Sequence, residues 1–163
     1  MIRLLQVLTI LINITLFPVW LKADESYIPI LVPVTGFLSL EGTAQRNGAI
    51  QALDKAPINL NIKYEVSDTA TSPEVAVTAL HRALSRGQPA AIAAPIFGTQ
   101  MLAMLPIAKR ASVALITISG TAKLTELNNP FIFRFFPGDS VVKVAHARYC
   151  HLYTLTLPPH PRC

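Results

Sequence analysis

Five short apolar runs, separated by stretches with helical spacing, constrain this 163-residue chain more than any other feature. "YIPILVPV" (Tyr27 to Val34) reads as a buried strand, and Thr43 to Lys55 as the helix after it. "LNIKYEV" alternates, which places Leu60, Ile62, Tyr64 and Val66 on one face of a second strand. In "DTATSPEVAVTALHRALSRG", Ser72 is a natural N-cap and Pro73 suits the first helical position. Glu74 suits the first turn of that helix and Gly87 its end. Val75, Ala79, Leu80 and Leu84 then form its buried stripe, with His81, Arg82 and Arg86 on the wet face. "PAAIAAPI" follows as a strand and "MLAMLPIAKRA" as a helix, with Met101, Met104 and Leu105 in the core. "VALITI" and "FIFRFF" are further strands. "PGDS" opens a last helix, "VVKVAHARY", with Asp139 or Ser140 as its cap.

Strands that alternate with helices predict a parallel sheet with helices on both faces, because parallel neighbours need long, right-handed crossovers. The fold class is therefore α/β. In such sheets the ligand crevice lies outside the carboxyl ends of the strands. Three connections fall on that rim: the segment after the first strand, which contains Gly36 and Gly42, "APIFGT" after the third, and "ISGT" after the fourth. All three are rich in hydroxyls.

Several chemistries are excluded. The glycines at 36, 42 and 48 do not fit a dinucleotide fingerprint, and no Gly-Lys-Ser/Thr follows to make a phosphate-binding loop. No Ser or Cys stands in a nucleophile context, and the four His fall outside the rim loops, so the chain does not read as an enzyme. The rim offers Thr99, Ser119 and Thr121 together with backbone N–H groups where helices begin. That combination suits a small anion, a carboxylate especially, since helix N-termini carry partial positive charge. The competing reading is that Thr99 and Thr121 cap their own helices.

"IPILVPVTGFLSLEGTAQRNGAIQAL", "SDTATSPEVAVTAL", "LPIAKRASVALITISGTAKLTE" and "NNPFIFRFFPGDS", in that order, resemble the first half of the branched-chain amino-acid-binding (leucine-binding) family of ABC importers. The resemblance covers about residues 27 to 149. It implies a type I periplasmic binding protein fold, here the amino-terminal lobe only. It also implies a small polar solute such as an amino acid or amide, a membrane permease as partner, and neither catalysis nor a cofactor. At the position where the family usually has a carboxylate-gripping serine stands Gly98, with Thr99 beside it. The resemblance assigns Ser119 and Thr121 to the polar end of the ligand and places Glu41 over it, where an acid either pairs with a ligand amine or faces water. A ligand-sensing or cell-wall-synthase-regulating domain of the same fold is the alternative.

The ends read differently from the middle. Arg3, the uncharged run "LLQVLTILINITLFPVWL" and the small residue Ala23 before "DES" describe a signal peptide over 1–23, with an uncleaved anchor as the alternative. A periplasmic location follows. Removing that segment takes away Arg3 and Lys22 and lowers the formal charge from +5 to +3, with the basic residues scattered. No nucleic-acid partner is indicated. Residues 24–149 form the partial lobe. Composition changes at Cys150, and 150–163, with three prolines in its last six residues, reads as an unrelated tail from a truncated or frame-shifted reading frame, with a genuine short tail as the alternative. Cys150 and Cys163 can pair in an oxidising compartment, and their spacing from His151 and His160 fits no zinc pattern.

Overall fold

The computed structural model describes residues 25–57 and 60–154. The 1–23 segment and Cys163 lie outside them. Five strands, β1 (Ser26–Val32), β2 (Ile62–Asp68), β3 (Ile92–Ala93), β4 (Leu115–Thr117) and β5 (Ile132–Arg134), form one sheet in the order β2-β1-β3-β4-β5. Every pairing is parallel. Between them run α1 (Ser39–Asp54), α2 (Pro73–Arg86), α3 (Gly98–Ala111) and the single turn α4 (Lys123–Glu126), and α5 (Asp139–Thr154) follows β5.

The chain leaves β1 towards β2 and then turns back past β1 to β3. With right-handed crossovers this puts α1 on one face and α2 and α3 together on the other. The contacts agree: α2 packs on α3 and on β1 and β2, whereas α1 touches only β1 and β2 to any extent. Side chains alternate across the strands. Leu31, Ile92 and Leu115 point into the core beneath α2 and α3, joined there by Leu80, Met101, Met104 and Leu105. On the opposite face, Ile30 and Val32 are fully buried, but Ile116 is 39% and Phe133 49% exposed. Nothing among the described residues covers the β4–β5 half on that side.

Helix α2 is held as its sequence suggests. Ser72 Oγ accepts from the Val75 N–H at 3.3 Å, Pro73 opens the helix and Arg86 pairs with Glu65. Its buried stripe is Ala76, Ala79, Leu80 and Ala83, with Leu84 partly buried. Val75 is instead 39% exposed. Three alanines let α2 lie close to α3, and this rotates the larger Val75 outward.

Helix α1 begins at Ser39, four residues before the expected Thr43, so Gly42 lies inside the helix. Its role is close approach: a Cβ at Gly42 would stand 2.9 Å from Pro33 Cγ and nearer still to the Pro33 carbonyl. Gly36, at φ +87°, makes the actual turn. β2 starts at Ile62, leaving Leu60 outside it and 54% exposed. Helix α5 continues across Tyr149 and Cys150 without a break, although no helical periodicity marks that stretch.

Candidate functional site

A cleft of about 330 Å³ opens at the carboxyl ends of β1, β3 and β4. It lies where the chain's direction across the sheet reverses, between β1 and β3, the place at which such sheets bind ligands. Leu38 reaches it from the β1–α1 loop, and Ile96, Phe97, Gly98 and Thr99 from the β3–α3 junction. Ser119, Gly120 and Thr121 come from the β4–α4 loop. Asp139, the first residue of α5, completes the wall.

Each loop is held by hydrogen bonds of its own. After β1, Asp68 at the end of β2 accepts from the N–H groups of Val34 (2.9 Å), Thr35 (3.2 Å) and Ala70 (2.8 Å) and from the Thr35 hydroxyl (2.5 Å). Partial burial works to raise the Asp68 pKa, but these donors outweigh it and hold the carboxyl below the ordinary range. The Thr71 hydroxyl binds the Thr35 carbonyl at 3.0 Å, and Phe37 meets Phe97 edge-to-face with ring centres 5.3 Å apart. After β4, the buried Thr117 hydroxyl donates to the Pro95 carbonyl at 2.8 Å and accepts from the Ser119 N–H at 3.0 Å. The β3 and β4 loops are thereby tied to each other.

The polar floor has a definite arrangement. Ser119 is 1% exposed and its Oγ lies 3.4 Å from Thr121 Oγ1. The Thr121 side chain in turn rests directly against Gly98, the first residue of α3, where a Cβ would be 2.8 Å from Thr121 Cβ. Any side chain at 98, a serine included, collides with Thr121 as it stands. No side chain caps α3, whose N-cap position is Phe97, and none caps α4 at Ala122. Thr99 and Thr121 therefore do not cap their helices, and the first-turn N–H groups of the 14-residue α3 carry their partial positive charge to the cleft.

Of the residues singled out from the sequence, Gly98, Thr99, Ser119 and Thr121 come together at this cleft. Glu41 sits exposed on the first turn of α1 and does not line it. Sequence reasoning missed Asp139 as a cleft residue and gave it only a capping role. Its Oδ1 packs over Gly120, where a Cβ would be 2.5 Å away, and its Oδ2 pairs with Lys143 at 3.0 Å. The available signal was its place at the carboxyl end of a fifth parallel strand, on the same rim as the other loops. The apolar wall of Leu38, Ile96, Phe97 and Leu102 carried no local signal. Among the described residues no group of three or more His, Cys, Asp or Glu could hold a metal ion.

A doubly wound parallel sheet with a cleft at its switch point is the architecture of one lobe of the type I periplasmic binding protein fold. The chain belongs to the periplasmic binding protein family, whose model matches residues 25–150. Its fold is shared with a leucine-binding protein from Thermotoga maritima, at TM-score 0.72 and 24% identity over 77% of this chain and 37% of that one. It is shared with a branched-chain amino-acid transporter substrate-binding protein from Streptococcus pneumoniae in complex with isoleucine, at 0.66 and 23%, over 72% and 35%. A solute-binding protein from Rhodopseudomonas palustris in complex with 3,4-dihydroxybenzoic acid matches at 0.61 and 24%, over 68% and 31%. The chain thus spans about a third of the length of these structures. No curated protein sequence matches it.

Proposed function

We propose that this chain carries the amino-terminal half of a solute site in an ABC importer's substrate-binding protein, for an amino acid or a similar small polar solute. One observation carries the reading: the cleft joins opposite polarities around an apolar wall. The uncapped start of α3, with Thr99, Ser119 and Thr121, suits a carboxylate. The Asp139 carboxylate suits an ammonium group, and Leu38, Ile96, Phe97 and Leu102 suit a short apolar side chain. The partner in this reading is a membrane permease, the compartment is the periplasm, and residues 1–23 are an export signal. Mass spectrometry of a periplasmic fraction then finds a chain that starts near Asp24. A full-length species held in the membrane would favour an anchored sensor instead.

One lobe binds weakly. Two to four hydrogen bonds at about 0.5–1.5 kcal/mol each oppose an association cost of at least about 4 kcal/mol. Millimolar affinity or weaker is expected. Amide shifts of Thr99, Ser119 and Thr121, followed by NMR during titration with a panel of amino acids and amides, test this. Thr121→Ala weakens binding more than Thr99→Ala, because Thr121 is half-buried on the cleft floor and Thr99 is exposed. Shifts confined to residues outside the cleft, even at about 0.5 M zwitterion (well above the roughly 30 mM that a net 2 kcal/mol allows), overturn the reading.

A further inference from the structure

The β4–α4 loop presents Ser119 and Thr121 to the cleft, yet it is held from behind by the segment that joins β5 to α5. Three hydrogen bonds make the seam. The Phe135 N–H donates to the Thr117 carbonyl at 3.0 Å and the Asp139 N–H to the Gly120 carbonyl at 2.6 Å. Arg134 Nη1 donates to the Thr121 carbonyl at 3.1 Å. Arg134 Nη2 also donates to Thr125 Oγ1 at 2.6 Å, so the guanidinium spans the turn that leads from Thr121 into α4. On the other side of the guanidinium lies Gly138, where a Cβ would stand 2.8 Å from Nη2.

Arg134 does not line the cleft. It faces a separate groove of about 480 Å³ behind the loop, and no carboxylate among the described residues forms an ion pair with it. Its charge is therefore directed at a backbone carbonyl and a hydroxyl. Charge-assisted bonds of this kind are stronger than neutral ones, and the planar fork of arginine reaches two acceptors at once where a lysine reaches one.

We propose that Arg134 is the positioning residue of the ligand loop. It fixes the Thr121 peptide from outside the cleft and so keeps the Thr121 side chain against Gly98. Because its own backbone runs on through Gly138 to Asp139, the ligand loop and the base of α5 move as one unit. The inference rests on the binding reading only in naming residues 119–121 a ligand loop, and its test needs no ligand.

Residue-resolved amide hydrogen exchange on the chain provides that test. The reporters are the N–H groups of Leu124, bonded to the Thr121 carbonyl at 3.2 Å, and of Asp139. The controls are the sheet amides of Ile92 and Ala94, bonded to Ala114 and Ile116. Arg134→Met should speed exchange at Leu124 and Asp139 about tenfold or more while the controls stay within about twofold, and Arg134→Lys should fall between. Gly138→Ala removes no side chain but crowds Nη2, and should give the same pattern more weakly. It decides the matter if Arg134→Met also loses protection at Ile92 and Ala94. Reporters unchanged in both variants, or a loss that Gly138→Ala spreads evenly to the controls, overturns the proposal. Leucine added to the same samples separates the two readings: absent binding with the exchange pattern intact counts against the solute site alone.

Discussion

Replacing Gly98 by alanine adds one methyl group at the most crowded point of the cleft. The new Cβ would lie 2.8 Å from Thr121 Cβ and 3.1 Å from Thr121 Cγ2, and closer still to the hydroxyl. Rotation of the threonine side chain moves its hydroxyl and methyl group but leaves Cβ where it is. To restore an ordinary carbon–carbon separation of about 3.5 Å the two backbones must part by about 0.7 Å. Overpacking of this kind costs about 1–3 kcal/mol. Alanine returns part of that, about 0.4–1 kcal/mol, by restricting the unfolded chain. The net expectation is a loss of about 1–2 kcal/mol, or roughly 3–8 °C in Tm for a domain of this size. Thermal and urea unfolding of the parent, Gly98→Ala, Thr121→Gly and the double variant form a cycle that isolates the contact. Thr121→Gly removes the obstructing Cβ, so Gly98→Ala should become neutral or slightly stabilising in that background, with a coupling of about 1–3 kcal/mol. Additive effects, with coupling under about 0.3 kcal/mol, would show that Gly98 and Thr121 are not in contact and refute the steric account of the missing serine.

Glycines 42 and 48, both in α1, should respond in opposite directions. Gly42→Ala is driven into the Pro33 carbonyl and should destabilise despite its helix propensity, whereas Gly48→Ala meets nothing within 4 Å and should stabilise by about 0.5–1 kcal/mol in urea unfolding. Asp68 has a folded-state pKa below its unfolded value, so its contribution to stability is full above the unfolded pKa of about 3.9 and is lost as pH falls through the lower folded value. Asp68→Asn should therefore be less stable than the parent near neutral pH and converge with it in acid; a gap that persists to the lowest pH would refute the linkage. The bare sheet face should drive self-association, and Ile116→Thr with Phe133→Thr should lower the sedimentation-average mass at a given concentration. An unchanged distribution would place the contact elsewhere.

Element order was legible because its signals are local. The cap, proline and acid at Ser72, Pro73 and Glu74 lie on consecutive residues and specify the start of α2 without outside help. Apolar runs bounded by helical spacing leave few arrangements other than a parallel sheet, and the site loops then fall on one rim by topology alone. Met101 and Met104 in the core follow from the same periodicity. Thus Thr99, Ser119 and Thr121 were accessible from the chain, whereas Gly98 and the roles of Ser119 and Thr121 came from resemblance.

What tertiary structure decided are the contacts between segments far apart in sequence. Gly42 reads as a loop residue until Pro33 is seen against it, and only that approach shows why α1 begins at Ser39. Val75 and Ala76 are neighbours with similar local claims to the buried stripe, and the nearness of α3 chose the smaller one. Asp139 and Arg134 come to the β4–α4 loop because β5 pairs beside β4 in a register that sets Thr117 opposite Arg134. The sequence by itself determined the succession of strands and helices, since hydrophobic period and capping act within a turn or two. The floor of the cleft and the clamp behind it were decided by the packed sheet, since register and close approach depend on chains that meet only after folding.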